Sequence, residues 1–204
     1  WEVKKLGLIT SKIGSGKTPL GGAEIYSQEG TIFIRSQNVY DTGLFLDDVV
    51  YISDDIHQSM ANSKVKFNDC LLNITGGSIG RSTLFNLNSE ANVNQHVAII
   101  RPNFYVKASY LNWYLKSNAI KEIIDYHQVG GNREGLNFEQ IGNFPMSKLN
   151  IEEQQQIANY LDDKTSKMDK LIEKANKSIE LLKEKRTALI SAAVTGKIDV
   201  REEV

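Results

Sequence analysis

Residues 150–193 read NIEEQQQIANYLDDKTSKMDKLIEKANKSIELLKEKRTALISAA, a stretch that contains no glycine and no proline. Its apolar side chains recur every three or four residues, which is the heptad pattern of a coiled-coil strand. One seam of the heptad is formed by Thr165, Ile172, Ile179, Arg186 and Ala193. The other seam is formed by Leu161, Met168, Ala175, Leu182 and Leu189. A helix over 151–194 would be about 65 Å long at ~1.5 Å per residue. The core of a small domain cannot cover such a helix, so the pattern predicts a partner strand.

The chain divides into two parts at about residue 148. All prolines, and all glycines except Gly196, precede that position. Asn150 followed by Glu153 is typical of a capping box at the start of a helix, and Gly196 suits its end. We therefore predict an α+β fold: a β-rich globular domain at 1–148, one long coiled-coil helix at 149–197 and a tail at 198–204.

The globular part contains short apolar runs that are bounded by turn residues. These runs predict strands at 32–35, 48–52, 69–74 and 97–101. A helix is predicted at 108–126, because its apolar positions fall mainly on one face. Cys70 lies inside one of the predicted strands, and we expect it to be buried.

Composition excludes several classes of protein. The formal net charge is −1, so any positive surface for nucleic acid must be local or shared with a partner. The single cysteine excludes a disulfide within the chain and fits a reducing compartment. No apolar run reaches the ~20 residues of a membrane span, and no secretory signal is recognised. These features predict a cytoplasmic protein without a membrane partner.

The run GSGKT at 14–18 is similar to part of a phosphate-binding P-loop. The full motif needs a glycine where Ser11 stands, and it opens a helix. Pro19, Gly21 and Gly22 make a sustained helix unfavourable here. We interpret the run as a flexible, basic surface loop, and a P-loop nucleotide enzyme stays as an alternative.

Other catalytic or metal-binding patterns are not recognised in the sequence. His57, His96 and His127 lack paired metal-ligand spacing, and one cysteine does not complete a zinc site. No order of Ser, His and Asp typical of a hydrolase is found. The sequence therefore predicts a protein without catalytic residues or a resident metal.

Several predicted loops are rich in Gly, Asn, Gln, Ser, Arg and Lys. Amide and guanidinium groups make bidentate contacts with base edges, and glycine-rich backbone with Lys or Arg suits phosphates. These loops lie at 12–18, 35–38, 76–81, 92–96 and 128–133. Their composition favours contact with DNA without proving it, because surface loops are polar in general.

Two segments of the long helix region resemble one protein family. The tail LLKEKRTALISAAVTGKIDVR at 181–201 and the run EQQQIANYL at 153–161 are similar to the specificity subunits of type I restriction-modification enzymes. Looser similarities are WEVKKLG at 1–7, GKTP at 16–19, IRS at 34–36 and NQH at 94–96. One departure is MSKL at 146–149, where the family pattern is richer in proline.

The resemblance implies a division of labour between subunits. The specificity subunit carries a target recognition domain that reads a few base pairs of double-stranded DNA, and it performs no chemistry. Methylation subunits bind S-adenosylmethionine and methylate adenine, and a restriction subunit uses ATP and Mg²⁺. This chain would then be a non-catalytic subunit that binds no cofactor itself.

The same resemblance suggests roles for the polar loop residues. Phosphate or guanine contacts are expected from Lys17, Arg35, Arg81 and Arg133. Base-edge or backbone contacts are expected from Gln37, Asn38, Asn94, Gln95 and Asn132. Losing a bidentate base contact would relax specificity at one position, whereas losing a phosphate contact would weaken binding to all sequences.

A full specificity subunit has two recognition domains and two helices, and this chain has one of each. The sequence leaves open whether the chain is a half-subunit or part of a longer protein. We expect an antiparallel homodimer through Leu161, Met168, Ile172, Ala175, Ile179, Leu182 and Leu189. Such a dimer would read a bipartite, inverted DNA site. The alternative is a coiled-coil adaptor with a peptide-binding globular head.

Overall fold

The computed structural model describes residues 2–19, 21–128, 135–199 and 201. Within these ranges the strands are β1 (Glu2–Lys5), β2 (Thr10–Ser15), β3 (Thr31–Ile34), β4 (Val39–Tyr40), β5 (Gly43–Leu44), β6 (Val50–Ile52), β7 (Lys64–Val65), β8 (Cys70–Asn73), β9 (Ser82–Leu84), β10 (Ala91–Val93), β11 (Val97–Pro102) and β12 (Pro145–Lys148). The α-helices are α1 (Asp54–Ser59), α2 (Ala108–Lys116), α3 (Asn118–Gln128), α4 (Phe138–Gly142) and α5 (Ile151–Val194).

Two four-stranded sheets form the centre of the globular unit. One has the strand order β2-β11-β8-β9 and is antiparallel throughout. The other has the order β6-β3-β10-β7, and its β3–β10 pair is parallel. β4 pairs with β5, and β1 pairs with β12. The N-terminal strand thus pairs with the segment that directly precedes the long helix.

Strands β8 and β11 are buried on both faces, which explains their continuous apolar sequences. Alternate residues such as Leu72 and Ile100 pack with the residues of α2 and α3 in one core cluster. The intervening residues, such as Leu71 and Ile99, pack with Ile34 and Val93 from the second sheet. The first sheet is therefore a central layer between helices and a second sheet.

Cys70 is fully buried, as predicted. Burial, together with the adjacent Asp69 carboxylate, raises the pKa of the Cys70 thiol far above its usual range. The thiol is therefore protonated at neutral pH and packs as a small apolar group.

Two predictions for the globular part are wrong. The expected helix at 108–126 is two helices, because Ser117 is extended (ψ 150°) and ends α2 while its carbonyl accepts from the N–H of Ile120 in α3. The polar loop expected at 12–18 begins as strand, because Thr10–Ser15 pairs with β11, and of the flexible loop expected at 14–18 the first two residues belong to β2. No α-helix follows Gly16 within the described residues 16–19 and 21–25, so the P-loop alternative has no structural support.

The long helix begins and ends as the sequence predicts. Asn150 and Glu153 form the capping box: the Glu153 N–H donates to Asn150 Oδ1 (2.8 Å), and the Asn150 N–H donates to Glu153 Oε2 (3.1 Å). At the other end, Gly196 adopts a left-handed conformation (φ 73°), and the Lys197 N–H donates to the Ala192 carbonyl (2.8 Å).

Contacts divide the chain into two compact units, Trp1–Ala158 and Asn159–Val204. The division falls later than residue 148, because Gln154 and Ala158 of the first helical turns are buried. The Gln154 amide donates to the Tyr105 carbonyl (3.0 Å) and accepts from the Lys107 N–H (2.8 Å). The start of the helix is thus part of the globular unit.

Candidate nucleic-acid interface

Strand register brings four polar loops to one edge of the two sheets. Val93 is opposite Ile34 in the parallel β3–β10 pair, so the loops after β3 and β10 leave side by side. In the antiparallel sheet, the end of β2 at Ser15 is opposite Ala98, and the end of β8 at Asn73 is opposite Val97. The loops at 16–19, 35–38, 74–78 and 94–96 therefore meet, and we call this surface the loop edge.

Backbone hydrogen bonds fasten these loops to one another. The Asn94 N–H donates to the Ile34 carbonyl (3.0 Å), and the Gly16 N–H donates to the Asn94 carbonyl (3.1 Å). The Ile74 N–H donates to the carbonyl of His96 (3.0 Å). The side chains of the loop edge consequently project from a fixed frame and not from independent loops.

Gly16 is required for the closest of these contacts. A Cβ atom at Gly16 would lie 1.6 Å from the carbonyl oxygen of Val93 and 2.5 Å from its carbon. Both atoms belong to the backbone, so a side-chain rotation does not relieve the overlap. This glycine therefore provides space for the β10 backbone, which is a structural role and not the phosphate-binding role of a P-loop.

Lys17 is exposed at the loop edge, next to a cleft of about 210 Å³. The cleft is lined on its other side by Ser59, the last residue of α1, and by residues 60–63. The Lys17 ammonium is therefore accessible to an anion that approaches the loop edge from solvent.

The turn after β3, residues 35–38, contains one buried polar side chain and two that are accessible to solvent. Asn38 is fully buried: its Oδ1 accepts from the Arg35 N–H (2.9 Å) and its Nδ2 donates to the Phe45 carbonyl (3.0 Å). Gln37 is exposed and donates to the Asp48 carboxylate. Arg35 donates to the Asp48 carbonyl (2.7 Å) and forms an ion pair with its carboxylate (3.6 Å). Asn38 holds the turn, whereas Arg35 and Gln37 present polar groups beside an acidic residue.

Residues 94–96 form the centre of the loop edge. The Asn94 side chain is nearly buried, and its Oδ1 accepts from the His96 N–H (3.1 Å). Gln95 is exposed; its Oε1 accepts from the Thr18 hydroxyl (2.5 Å) and its Nε2 bonds His96 Nε2 (3.0 Å). The other His96 nitrogen bonds the Thr75 hydroxyl (2.6 Å). One chain of hydrogen bonds thus runs from Thr75 through His96 and the exposed Gln95 amide to Thr18, and it crosses three loops.

Arg81 lies at the margin of the loop edge. Its guanidinium carbon is 4.9 Å from the centre of the Tyr40 ring, and its backbone N–H donates to the Ser78 carbonyl (3.1 Å). The remaining two predicted contact residues, Asn132 and Arg133, lie outside the described residues.

Sequence reasoning did not select three side chains that the structure brings into this site. Thr18, Thr75 and His96 come from separate loops and support the Gln95 amide. Their types are common in surface loops, and their proximity depends on strand register. The polar runs at 12–18 and 92–96, which contain Thr18 and His96, are the signals that the sequence offers for them.

The loop edge can offer hydrogen-bond donors and acceptors but little net positive charge. Lys17, Arg35 and Arg81 contribute cations, and Asp48 offsets Arg35. Among the residues that the structure describes, no group of three His, Cys, Asp or Glu side chains is placed to hold a metal ion. This chemistry suits recognition of a polar surface by amides more than strong attraction of phosphates.

The seam of the long helix is open to solvent. In the unit 159–204, exposed fractions are 59% for Met168, 57% for Ile172, 49% for Ile179 and 64% for Leu182. Leu189 is 55% exposed, and Ala175 is also exposed, while Leu161 is half-buried. A continuous apolar stripe on a helix of this length is typical of an interface with another helix. No helix in the described ranges has a stretch apolar enough to cross a bilayer.

Comparisons with known protein sequences give a consistent result. A profile of the family described as type I restriction modification DNA specificity domain matches residues 1–181. The specificity subunit of the type I restriction enzyme StySPI from Salmonella potsdam is 23% identical, over 96% of this chain and 43% of its own length. The EcoBI specificity subunit from Escherichia coli is 23% identical, over 84% of this chain and 36% of its own length. The chain thus spans less than half the length of these curated relatives.

Solved structures show the same fold at low sequence identity. A chain from a structure of type I restriction-modification complex assembly and conformational transition superposes with a TM-score of 0.75 at 18% identity, over 95% of this chain and 45% of its own length. The HsdS subunit from Thermoanaerobacter tengcongensis gives a TM-score of 0.61 at 18% identity, over 84% and 38% of the two chains. The S subunit from M. genitalium gives 0.56 at 17% identity, over 83% and 41%. These similarities confirm the predicted α+β fold with a long C-terminal helix.

Proposed function

The chain belongs to the type I restriction-modification DNA specificity domain family, and from this premise we propose that its loop edge reads one half of a bipartite DNA target. The proposed target is the edge of bases in double-stranded DNA. The chain itself is proposed to be non-catalytic. We assign S-adenosylmethionine to methylation subunits, and ATP and Mg²⁺ to a restriction subunit, with none bound by this chain.

One observation carries the proposal: strand register gathers four polar loops on a single edge. The parallel β3–β10 pair and the ends of β2 and β8 position them independently of loop sequence. Direct readout of bases requires several donors and acceptors on one rigid surface. The loop edge meets that requirement, since its loops are fastened by backbone hydrogen bonds.

The proposed contacts follow from exposure and existing partners. Lys17 and Arg81 are proposed to contact phosphates, Arg35 to contact phosphate or guanine, and Gln37 and Gln95 to read base edges. Asn38 and Asn94 are left out of this set, because both side chains are buried or nearly so and hold the loops. Asn132 and Arg133 stay proposed contacts on their residue type alone.

The loop edge has few unpaired cations, so we expect weak DNA affinity for the chain alone. Counterion release by Lys and Arg supplies most non-specific affinity for DNA. We propose that methylation subunits supply further phosphate contacts and enclose the duplex, while the loop edge selects the sequence.

The long helix is proposed to pair with a second, antiparallel copy and to serve as a scaffold for methylation and restriction subunits. Its exposed apolar seam supports the need for a second strand. Two copies related by a two-fold axis would place two loop edges on an inverted, bipartite site.

The test is a selection from duplexes that contain a randomised 30-base-pair core, with the chain and its methylation subunit together. We expect an enriched consensus of two short halves related by inversion. For the enriched duplex, Lys17→Ala should weaken binding to every sequence alike and reduce the salt slope by about 1.

Lys66→Ala provides a matched control. Lys66 is also exposed, but it precedes β8 at the end of the sheet opposite the loop edge. Equal effects of the two substitutions, or a wild-type complex that enriches no sequence, would refute the proposal.

A further inference from the structure

The Gln95 side chain is exposed at the centre of the loop edge, yet both ends of its amide are engaged. Thr18 donates its hydroxyl proton to Oε1 (2.5 Å), and Nε2 lies 3.0 Å from His96 Nε2. An exposed glutamine normally samples several rotamers, and fixing it in one of them costs conformational entropy. Here Thr18 and His96, which belong to different loops, contact both ends of the amide.

The proton positions in this chain of bonds follow from simple chemistry. In the orientation that the structure gives the Gln95 amide, Nε2 faces His96 Nε2. An amide nitrogen only donates, so in this orientation His96 Nε2 accepts the Gln95 proton. A neutral imidazole that accepts at Nε2 carries its own proton at Nδ1. His96 Nδ1 therefore donates to the Thr75 hydroxyl oxygen at 2.6 Å. In this arrangement His96 is the Nδ1–H tautomer, and every bond of the chain joins a donor to an acceptor.

Two hydrogen-bonding groups of Gln95 remain free in this arrangement. The oxygen Oε1 has a second lone pair, and Nε2 has a second proton. A glutamine that accepts with its oxygen and donates with its nitrogen matches the N6 amino group and N7 of adenine in the major groove. Guanine presents two acceptors at the same edge and would face the amide oxygen unfavourably.

We propose that Gln95 reads an adenine, and that His96 is a positioning residue that fixes the amide for this reading. Thr18 has the same supporting role on the oxygen side. The proposal rests on the proposed function, because it assumes that the loop edge faces DNA. Without His96, rotation of the terminal amide by half a turn exchanges oxygen and nitrogen, and the preference for adenine is lost.

The experiment compares the consensus selected from randomised duplexes by four variants and one control variant in complex with the methylation subunit. Gln95→Ala should relax one position, and that position should be adenine in the wild-type consensus. His96→Leu should relax the same position and leave the others unchanged. A bidentate contact corresponds to roughly 5- to 150-fold discrimination, so the adenine preference should fall by at least about fivefold.

Two further variants separate positioning from folding. Thr18→Val keeps the side-chain shape on an exposed loop and removes only the donor to Oε1, so it should relax the same position partly. His96→Gln retains an acceptor near the position of Nε2, and it should restore part of the adenine preference that His96→Leu loses. Asn88→Ala, in an exposed loop elsewhere, should leave the consensus unchanged.

The outcomes distinguish this inference from the proposed function. The inference would be overturned, and DNA recognition left intact, if the wild-type complex selects a consensus and Gln95→Ala relaxes no adenine position in it. The same holds if His96→Leu and Thr18→Val both retain full adenine preference, or relax a different position from Gln95→Ala. A wild-type complex that selects no sequence would remove both proposals together.

Discussion

Replacing Ile172 by alanine should weaken self-association of the long helix strongly. Ile172 lies on the heptad seam and is 57% exposed in the single chain. The substitution removes three side-chain carbons, each worth about 0.8 kcal/mol when fully buried, so over the exposed fraction it removes about 1–1.7 kcal/mol. A two-fold interface loses this contribution in both copies, which gives about 2–3.5 kcal/mol. At about 1.4 kcal/mol per factor of ten, the dissociation constant should rise roughly 20- to 300-fold.

Sedimentation equilibrium over a range of concentrations measures this constant directly. Alanine has a higher helix propensity than isoleucine, so the substitution should not unfold α5, and circular dichroism of the variant checks this. Lys177→Ala is the matched control, because Lys177 is exposed in the same helix and lies on the outer face of the heptad. A dissociation constant that Ile172→Ala changes less than twofold, or by no more than Lys177→Ala does, would refute the assignment of the seam.

Three further predictions concern stability, and urea unfolding checks each of them. Gly16→Ala should lower the free energy of unfolding by about 1–3 kcal/mol or more, because its Cβ would overlap the Val93 backbone. Gly77→Ala is the control, since no atom lies within 4 Å of its added Cβ. Equal losses of unfolding free energy in the two variants would contradict this reasoning. Asn150→Ala should cost about 1 kcal/mol by removing the helix cap, and an unchanged midpoint would count against the capping box. The pKa of the Cys70 thiol is raised in the folded state. Its contribution to the free energy of unfolding is therefore complete below the unfolded-state pKa of ~8.5, and it falls by about 1.4 kcal/mol per pH unit above that pH. Between pH 8.5 and 10.5 the free energy of unfolding should drop more steeply for wild type than for Cys70→Ala, and parallel curves would contradict this.

The long helix could be predicted from sequence because its signals are local. The heptad repeat, the capping box at Asn150 and Glu153, and the stop at Gly196 each depend on neighbours within a few residues. The burial of Cys70 was also predictable, since it lies in a continuous apolar strand. Local chemistry and tertiary structure agree at these positions.

The loop edge could not be predicted, because it depends on which strands pair and in what register. Thr10–Ser15 has little apolar character, and it becomes a strand only through its pairing with β11. Asn38 has the same residue type as other candidate base readers, and only the folded structure shows that it is buried and bonded to the backbone of Arg35 and Phe45. His96 acquires its role from Thr75, which is distant in sequence.

Site-specific photo-cross-linking tests most directly whether the loop edge faces DNA. p-Benzoylphenylalanine would be placed at Gln37 on the loop edge, or at Phe104, which is 78% exposed and follows the opposite end of β11. A six-residue strand separates the two ends of β11 by about 20 Å. In complex with the methylation subunit and the selected duplex, we expect cross-links to DNA from position 37 and none from position 104. Equal cross-linking from both positions, or cross-linking from position 104 alone, would contradict this expectation.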